Sequence, residues 1–136
     1  MLLIDTSVWI AVFRDRSGRV RQNLETLIAG RDVSITRFTQ LELLQGSLND
    51  QEWATLSDYL EAQIYAELTS SSWQAAARIY YDLRRQGLTV RSSIDCCIAQ
   101  AALEHNLILI HRDRDFETVT QVRPLQHQRL DAQSFL

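Results

Sequence analysis

Met1-Leu-Leu-Ile-Asp-Thr-Ser-Val-Trp-Ile10 is the stretch on which the fold turns. Leu2, Leu3 and Ile4 form an apolar run suited to a short strand buried on both faces. The run stops at Asp5. Thr6 or Ser7 then caps a helix that begins near Val8 and continues to Phe13. Asp5 thus stands at the carboxyl end of an inner strand, where open α/β sheets form their ligand crevices. Two readings of Asp5 stand at this point: a turn residue that caps the next helix, and a ligand at the crevice.

Outward from this stretch, helical and strand patterns alternate. Residues 14–19 form a charged loop containing Gly18. Val20, Leu24, Leu27 and Ile28 recur at helical spacing, and Gly30 ends that helix. Residues 33–35 are a short strand. Residues 36–39 lead into a helix carrying Leu41, Leu43 and Leu44, stopped by Gln45 and Gly46. Residues 50–61 are helical, with Trp53, Leu56 and Leu60 on one face, and residues 64–68 are a third strand. Ser70 to Ser72 open a long helix with Trp73, Ala76, Ile79, Tyr80 and Leu83 on its apolar stripe, ending at Gly87. Ser92 opens another, with Ile94, Cys97, Ile98, Ala101 and Ala102 facing inward, ending at Asn106. Residues 107–110 are a buried strand, 111–115 a polar turn before a short helix, and the last dozen residues a surface strand or tail. The alternation predicts a single α/β domain over 1–136, a central parallel sheet flanked by helices on both faces. Pro124 is the one proline, and no repeat or low-complexity tract interrupts the chain.

The 136 residues, 46% hydrophobic, suffice for one core without covalent staples. No apolar run reaches the length of a membrane span, and no signal-peptide pattern opens the chain. Cys96 and Cys97 are adjacent and have no third cysteine to pair with, which suits packed thiols in a reducing cytoplasm. All 14 basic residues are arginine, so chemistry that needs a lysine ammonium is excluded. The net charge of −3 argues against a general nucleic-acid binder. That argument weakens if Asp5, Glu42, Asp95, Asp113 and Asp115 share one site. Setting those five aside leaves 12 of the 17 acids against 14 arginines, a mildly basic body around an acidic pit.

Glu42 follows Thr39 by three residues and Asp95 follows Ser92 by three, so each also fits a capping box. Each acid taken singly is therefore either a cap or a ligand. As a set they point further. Asp5 and Asp113 each follow a strand, while Glu42 and Asp95 lie in the first turn of a helix. First turns can face the same rim of the sheet as strand ends. Four carboxylates meeting there repel one another until a divalent cation neutralises them. An all-carboxylate donor set suits Mg²⁺ or Mn²⁺ rather than zinc. Such an ion activates water and holds a phosphodiester for in-line attack.

Asp5-Thr-Ser-Val-Trp-Ile10, Glu42-Leu-Leu-Gln-Gly46, Arg91-Ser-Ser-Ile-Asp-Cys96 and His111-Arg-Asp-Arg-Asp-Phe116 together resemble the PIN domain, and more narrowly the VapC ribonuclease toxins of bacterial toxin–antitoxin pairs. The four motifs occur in order across the whole chain. The resemblance implies an Mg²⁺-dependent endoribonuclease (Mn²⁺ substituting) that hydrolyses RNA through a metal-activated water. It also implies a homodimer, a VapB-type antitoxin that silences it, and contact with operator DNA only through that antitoxin. Carried over by position, Asp5, Glu42, Asp95 and Asp113 are the acidic quartet, and Asp115 is an additional acid at the metal. His111 departs from the pattern, since many relatives carry Thr or Ser there; it is either a strand-end histidine or a group that bonds a metal water, an acid or a phosphate. Arg91, Arg112 and Arg114 either contact RNA phosphates or balance the acids by salt bridges. Trp9, Trp53, Trp73 and the tyrosines fit the apolar stripes of helices or their edges, as core or subunit interface.

Three other readings fit an acidic α/β crevice. A phosphoryl-accepting receiver and an aspartate-nucleophile phosphatase both require a lysine, and this chain has none. The phosphatase pattern also places a second Asp where Ser7 stands. A catalytically weak binding protein, acting mainly through its antitoxin and DNA, remains the alternative to the nuclease.

Overall fold

The structure is a computed structural model and describes residues 1–130; the end of the expected tail, 131–136, lies outside the described residues. Among the described residues twelve elements follow in order: β1 (Leu2–Ile4), α1 (Thr6–Arg14), α2 (Arg19–Ile28), β2 (Val33–Ile35), α3 (Arg37–Gln45), α4 (Asp50–Glu61), β3 (Ile64–Tyr65), α5 (Ser72–Arg85), α6 (Ser93–Glu104), β4 (Ile108–His111), α7 (Arg114–Val119) and β5 (His127–Arg129). The five strands are all parallel, in the order β3-β2-β1-β4-β5. Leu2, Leu3 and Ile4 pair with Ile108, Leu109 and Ile110, so β1 and β4 lie side by side at the centre.

Strand side chains alternate between faces, and the core divides accordingly. Leu3 and Leu109 point to the layer of α5, α6 and α7, packing with Ile79, Leu83, Ile98 and Phe116. Leu2, Ile4 and Ile110 point the other way, onto Val8 and Val12 of α1 and Leu24 and Leu27 of α2. On that same side Ile35 meets Leu43 of α3 and Leu60 of α4. Leu2, Leu3, Leu109 and Ile110 are all fully buried, which is why these strands read as unbroken apolar runs.

The order of strands reverses at the centre. From β1 the chain moves outward through β2 to β3, then crosses back to β4 and continues to β5. The segments leaving the carboxyl ends of β1 and β4 therefore diverge, α1 onto one face and α7 onto the other. Such a reversal opens a crevice between two adjacent strand ends. Asp5 and Asp113 both stand at it.

Several boundaries differ from expectation. The helix expected from Val8 starts at Thr6, with Asp5 itself as the cap. The third strand covers only Ile64–Tyr65 rather than 64–68. Leu107 lies in the turn that follows α6, its N–H donating to Ala102 O after Asn106 takes a positive φ of 54°, so β4 starts one residue later and takes in His111. Ile94, expected to face inward, is 38% exposed, and Trp53 and Trp73, expected in core or subunit interface, are 49% and 54% exposed and so lie outside the core.

Among the described residues Phe116 is the largest fully buried side chain, and it ties α7 to the sheet behind the His111 ring. Phe116→Ala should lower the unfolding free energy by about 3–5 kcal/mol. Urea denaturation measures this, with the midpoint moving and the slope unchanged. A loss below about 1 kcal/mol would show that the site collapses without cost.

Candidate active site

Asp5 is both a cap and a crevice residue. Its Oδ2 accepts from the Ser7 amide at 3.0 Å and from the Ser7 hydroxyl at 2.6 Å. Its own N–H donates to Ile110 O at 2.9 Å, tying the end of β1 to β4. The Ser7 oxygen also accepts from the Arg112 amide at 3.0 Å. One hydroxyl thus joins the loops leaving both central strands. Its neighbour Thr6 donates to Glu42 Oε1 at 3.0 Å, which leaves the Thr39 hydroxyl as donor in the 2.9 Å Thr6–Thr39 bond.

Neither expected capping box forms. The cap of α3 is Thr36, whose oxygen accepts from the Thr39 amide, so Glu42 lies a turn further in than a capping acid. Ser92 does cap α6, but through the Ile94 amide. The Asp95 carboxylate accepts no hydrogen bond from any described residue. It turns instead toward Asp113 and Asp115, and one carboxylate oxygen from each of the three lies within 4.8 Å of the others.

Asp113 and Asp115 are more heavily restrained. Asp113 caps α7, its Oδ1 accepting from the Asp115 amide at 3.0 Å. Its own N–H donates to His111 Nδ1 at 3.1 Å. With that nitrogen accepting, His111 carries its proton on Nε2 and donates it to His127 Nδ1 at 2.9 Å. His111 is completely buried, and burial first, then His127, pushes its pKa down to about 4. It is thus a neutral strand-end histidine that holds the Asp113 turn, with its ring turned to Phe116 and His127.

The electrostatics follow from this placement. Burial raises the pKa of Asp95 to about 7, and the charges of Asp113, Asp5 and Asp115 add to that shift. Burial raises Asp5 as well, against the hydrogen bonds from Ser7, and Glu42 contributes in the same direction. Three of the five predicted acids, Asp95, Asp113 and Asp115, meet in one cluster; Asp5 and Glu42 stand outside it, Asp5 adding to the rise of the Asp95 pKa and Glu42 to that of Asp5. The donor set is all oxygen, and Asp95 has no donor of its own. Both features fit a hard divalent cation.

The three arginines separate. Arg91 pairs with Asp113 and Asp115. Arg112 lines a cavity of about 530 Å³ with Arg14 and Arg129, beside Asp5 through the Ser7 link. Arg114 is exposed at the start of α7. Sequence reasoning missed Ser7, Thr6 and Thr39 as supports of the acids, treating hydroxyls near helix starts only as caps. The available signal was the pair of small hydroxyl residues directly after a strand-end acid.

Asp95 generates a stability prediction. Its folded pKa of about 7 lies above the ordinary 3.8. Its favourable contribution to the metal-free protein is complete below the ordinary value and is lost as pH rises through about 7. In EDTA at pH 8, Asp95→Asn should melt at or above wild type, by up to about 5 °C for a gain on the order of 1 kcal/mol. Between pH 4 and 8 its melting temperature should also fall less with pH than wild type's. Thermal melting checks both; a lower melting temperature with an unchanged pH slope would make Asp95 a structural acid.

Comparison with known proteins agrees with this geometry. The PIN domain family model matches residues 2–121. Ribonuclease VapC11 of Mycobacterium tuberculosis is 33% identical over 129 residues, covering 93% of this chain and 96% of that protein. The structure of VapBC-1 from nontypeable Haemophilus influenzae includes a chain with TM-score 0.75 and 22% identity, over 95% of this chain and 97% of the other. VapBC2 from Rickettsia felis, bound to a DNA fragment from its promoter, gives 0.72 and 18%, over 96% and 98%. Family model, identity and fold agree along the chain, which belongs to the PIN domain family and, within it, to the VapC ribonucleases.

Proposed function

We propose that this chain is the toxin of a toxin–antitoxin pair, a Mg²⁺-dependent endoribonuclease in which Asp5, Glu42, Asp95 and Asp113 form the acidic set and Asp115 supports the metal. The observation that carries the reading is the meeting of Asp95, Asp113 and Asp115 beside Asp5, at the point where the strand order reverses. The curated relative, named as a ribonuclease, supports the reaction class.

A divalent ion held by Asp95, Asp113 and Asp115 would supply a water of lowered pKa and neutralise phosphate charge, Mn²⁺ substituting for Mg²⁺. The chain's own groups do the rest. Ser7 and the Arg112 amide hold Asp5 in place, Thr6 holds Glu42, and His111 holds the Asp113 turn. Arg112, with Arg14 and Arg129, offers guanidinium groups to the phosphates of an RNA strand leaving the acidic site. Arg114 adds charge at the rim.

The antitoxin has a separate seat. A cavity of about 930 Å³ between α1, α3 and α4 is lined by Trp9, Ile10, Phe13, Leu56 and Tyr59, with Glu42 at its edge. Phe13 and Tyr59 are 53% and 46% exposed there, an apolar surface suited to a VapB-type segment. Exposed Trp53 and Trp73 supply apolar surface for a homodimer. Operator DNA is reached through the antitoxin, and the site of action is the cytoplasm. No helix among the described residues is long and apolar enough to cross a membrane.

The test is cleavage of single-stranded RNA by the purified chain. Expected are activity in Mg²⁺ or Mn²⁺, none in EDTA, and products with 5′-phosphate and 3′-hydroxyl ends. Asp5→Asn should reduce the rate at least about 100-fold. Arg112→Gln should weaken RNA binding and flatten its logarithmic salt dependence by about 0.7. The small protein encoded beside this chain should silence wild type but not Phe13→Asp. Cleavage that persists in EDTA and leaves a cyclic 2′,3′-phosphate would overturn the reading.

A further inference from the structure

Arg91 lies in the loop between α5 and α6, directly after buried Val90. Its backbone N–H and its Nε both donate to Asp115 Oδ2, at 3.0 and 3.1 Å. Its Nη2 donates to Asp113 Oδ2. The guanidinium therefore spans two of the three carboxylates that converge with Asp95, and Asp95 is the one left without a hydrogen-bond donor. The Arg91 side chain is 77% exposed, whereas those of Asp113 and Asp115 are only 18% and 11% exposed. The cation thus covers the carboxylates from the solvent side, and nothing in the core must repack for it to leave.

A divalent ion and this guanidinium need the same lone pairs. A planar fork takes carboxylate oxygens bidentately, and a hard cation takes those same oxygens as ligands. Two cations on one pair of oxygens also repel each other. We propose that Arg91 is a counter-cation built into the chain: it occupies the metal-free acidic site, and metal binding is an exchange in which its guanidinium is displaced to the rim. The inference rests on the reading of the acidic cluster as a metal site. The backbone N–H of Arg91 is not part of the exchange. It stays on Asp115 and keeps that carboxylate oriented after the side chain leaves. The freed guanidinium then stands at the rim of the same crevice, facing the solvent from which an RNA phosphate arrives.

The alternative is a fixed positioning role, with Arg91 still bonded to Asp113 and Asp115 when metal is bound. The two differ in what Mg²⁺ does to the Arg91 Nε–H. In ¹⁵N spectra of the full chain, assigned by loss of the signal in Arg91→Gln, the metal-free Nε–H should show a bonded position. Saturating Mg²⁺ should move it to the position of free arginine. The Arg78 Nε–H, bonded to Asp82 at 2.9 Å within α5 and to none of the three clustered acids, should not move. By calorimetry with Mn²⁺, Arg91→Gln should bind the ion roughly 10-fold tighter than wild type, within the usual range of coupling between adjoining sites. Arg91→Lys, which keeps the charge but loses the fork, should fall between them. An Arg91 Nε–H unmoved at saturating Mg²⁺, or weaker Mn²⁺ binding by a folded Arg91→Gln, overturns the exchange and leaves the metal site standing. Failure of wild type to bind either ion overturns the metal site itself.

Discussion

Mutual repulsion among carboxylates held at the ends of two adjacent buried strands is the constraint on which this molecule depends. Asp5 and Asp113 leave β1 and β4, whose pairing from Leu2 to Ile4 and from Ile108 to Ile110 fixes their separation. Burial of Leu2, Leu3, Leu109 and Ile110 on both faces holds that separation. Asp95 and Asp115 are brought in by helices packed on one side of the same sheet. The carboxylates cannot move apart without breaking that packing, so the repulsion is met electrostatically. Burial raises the Asp95 pKa and the neighbouring charges raise it further, while Arg91 lies over Asp113 and Asp115.

The supports of the site are ordinary local structure. Asp5 and Asp113 are helix caps, and each also faces the crevice. A cap fixes a carboxylate by one or two backbone donors and leaves its remaining lone pairs directed outward. Structural and chemical roles are thus carried by different lone pairs of one side chain. Ser7, Thr6 and His111 extend the same economy. Each gives its one side-chain proton to another side chain, Ser7 to Asp5, Thr6 to Glu42 and His111 to His127, so none has a donor left for a substrate.

The order of strands and helices was legible because its cause is local. Leu2–Ile4 and Ile108–Ile110 are apolar without interruption, and the alternation with amphipathic helices requires a parallel sheet. The acids were legible as a set, since four of them fall at strand ends and first helical turns. The role of each was not. Thr39 and Ser92 both suggested capping boxes, yet which hydroxyl caps a helix depends on where the preceding strand stops, and that is set by pairing with distant residues. The split among the arginines was hidden for the same reason. Arg91 and Asp115 are 24 residues apart, and only the packing of α6 against α7 brings them together. Trp53 and Trp73 match helical stripes but lie at the edges of them, where periodicity alone does not separate core from surface.

On the proposed reading, packing forces these carboxylates together and a divalent cation neutralises them. The most direct measurement is a ¹³C titration of the Asp95 side-chain carboxyl, with and without Mg²⁺. The account predicts a titration near pH 7 in EDTA and a midpoint displaced well below that once Mg²⁺ is present. An Asp95 carboxyl that titrates in the ordinary range near 3.8 and ignores Mg²⁺ would contradict it.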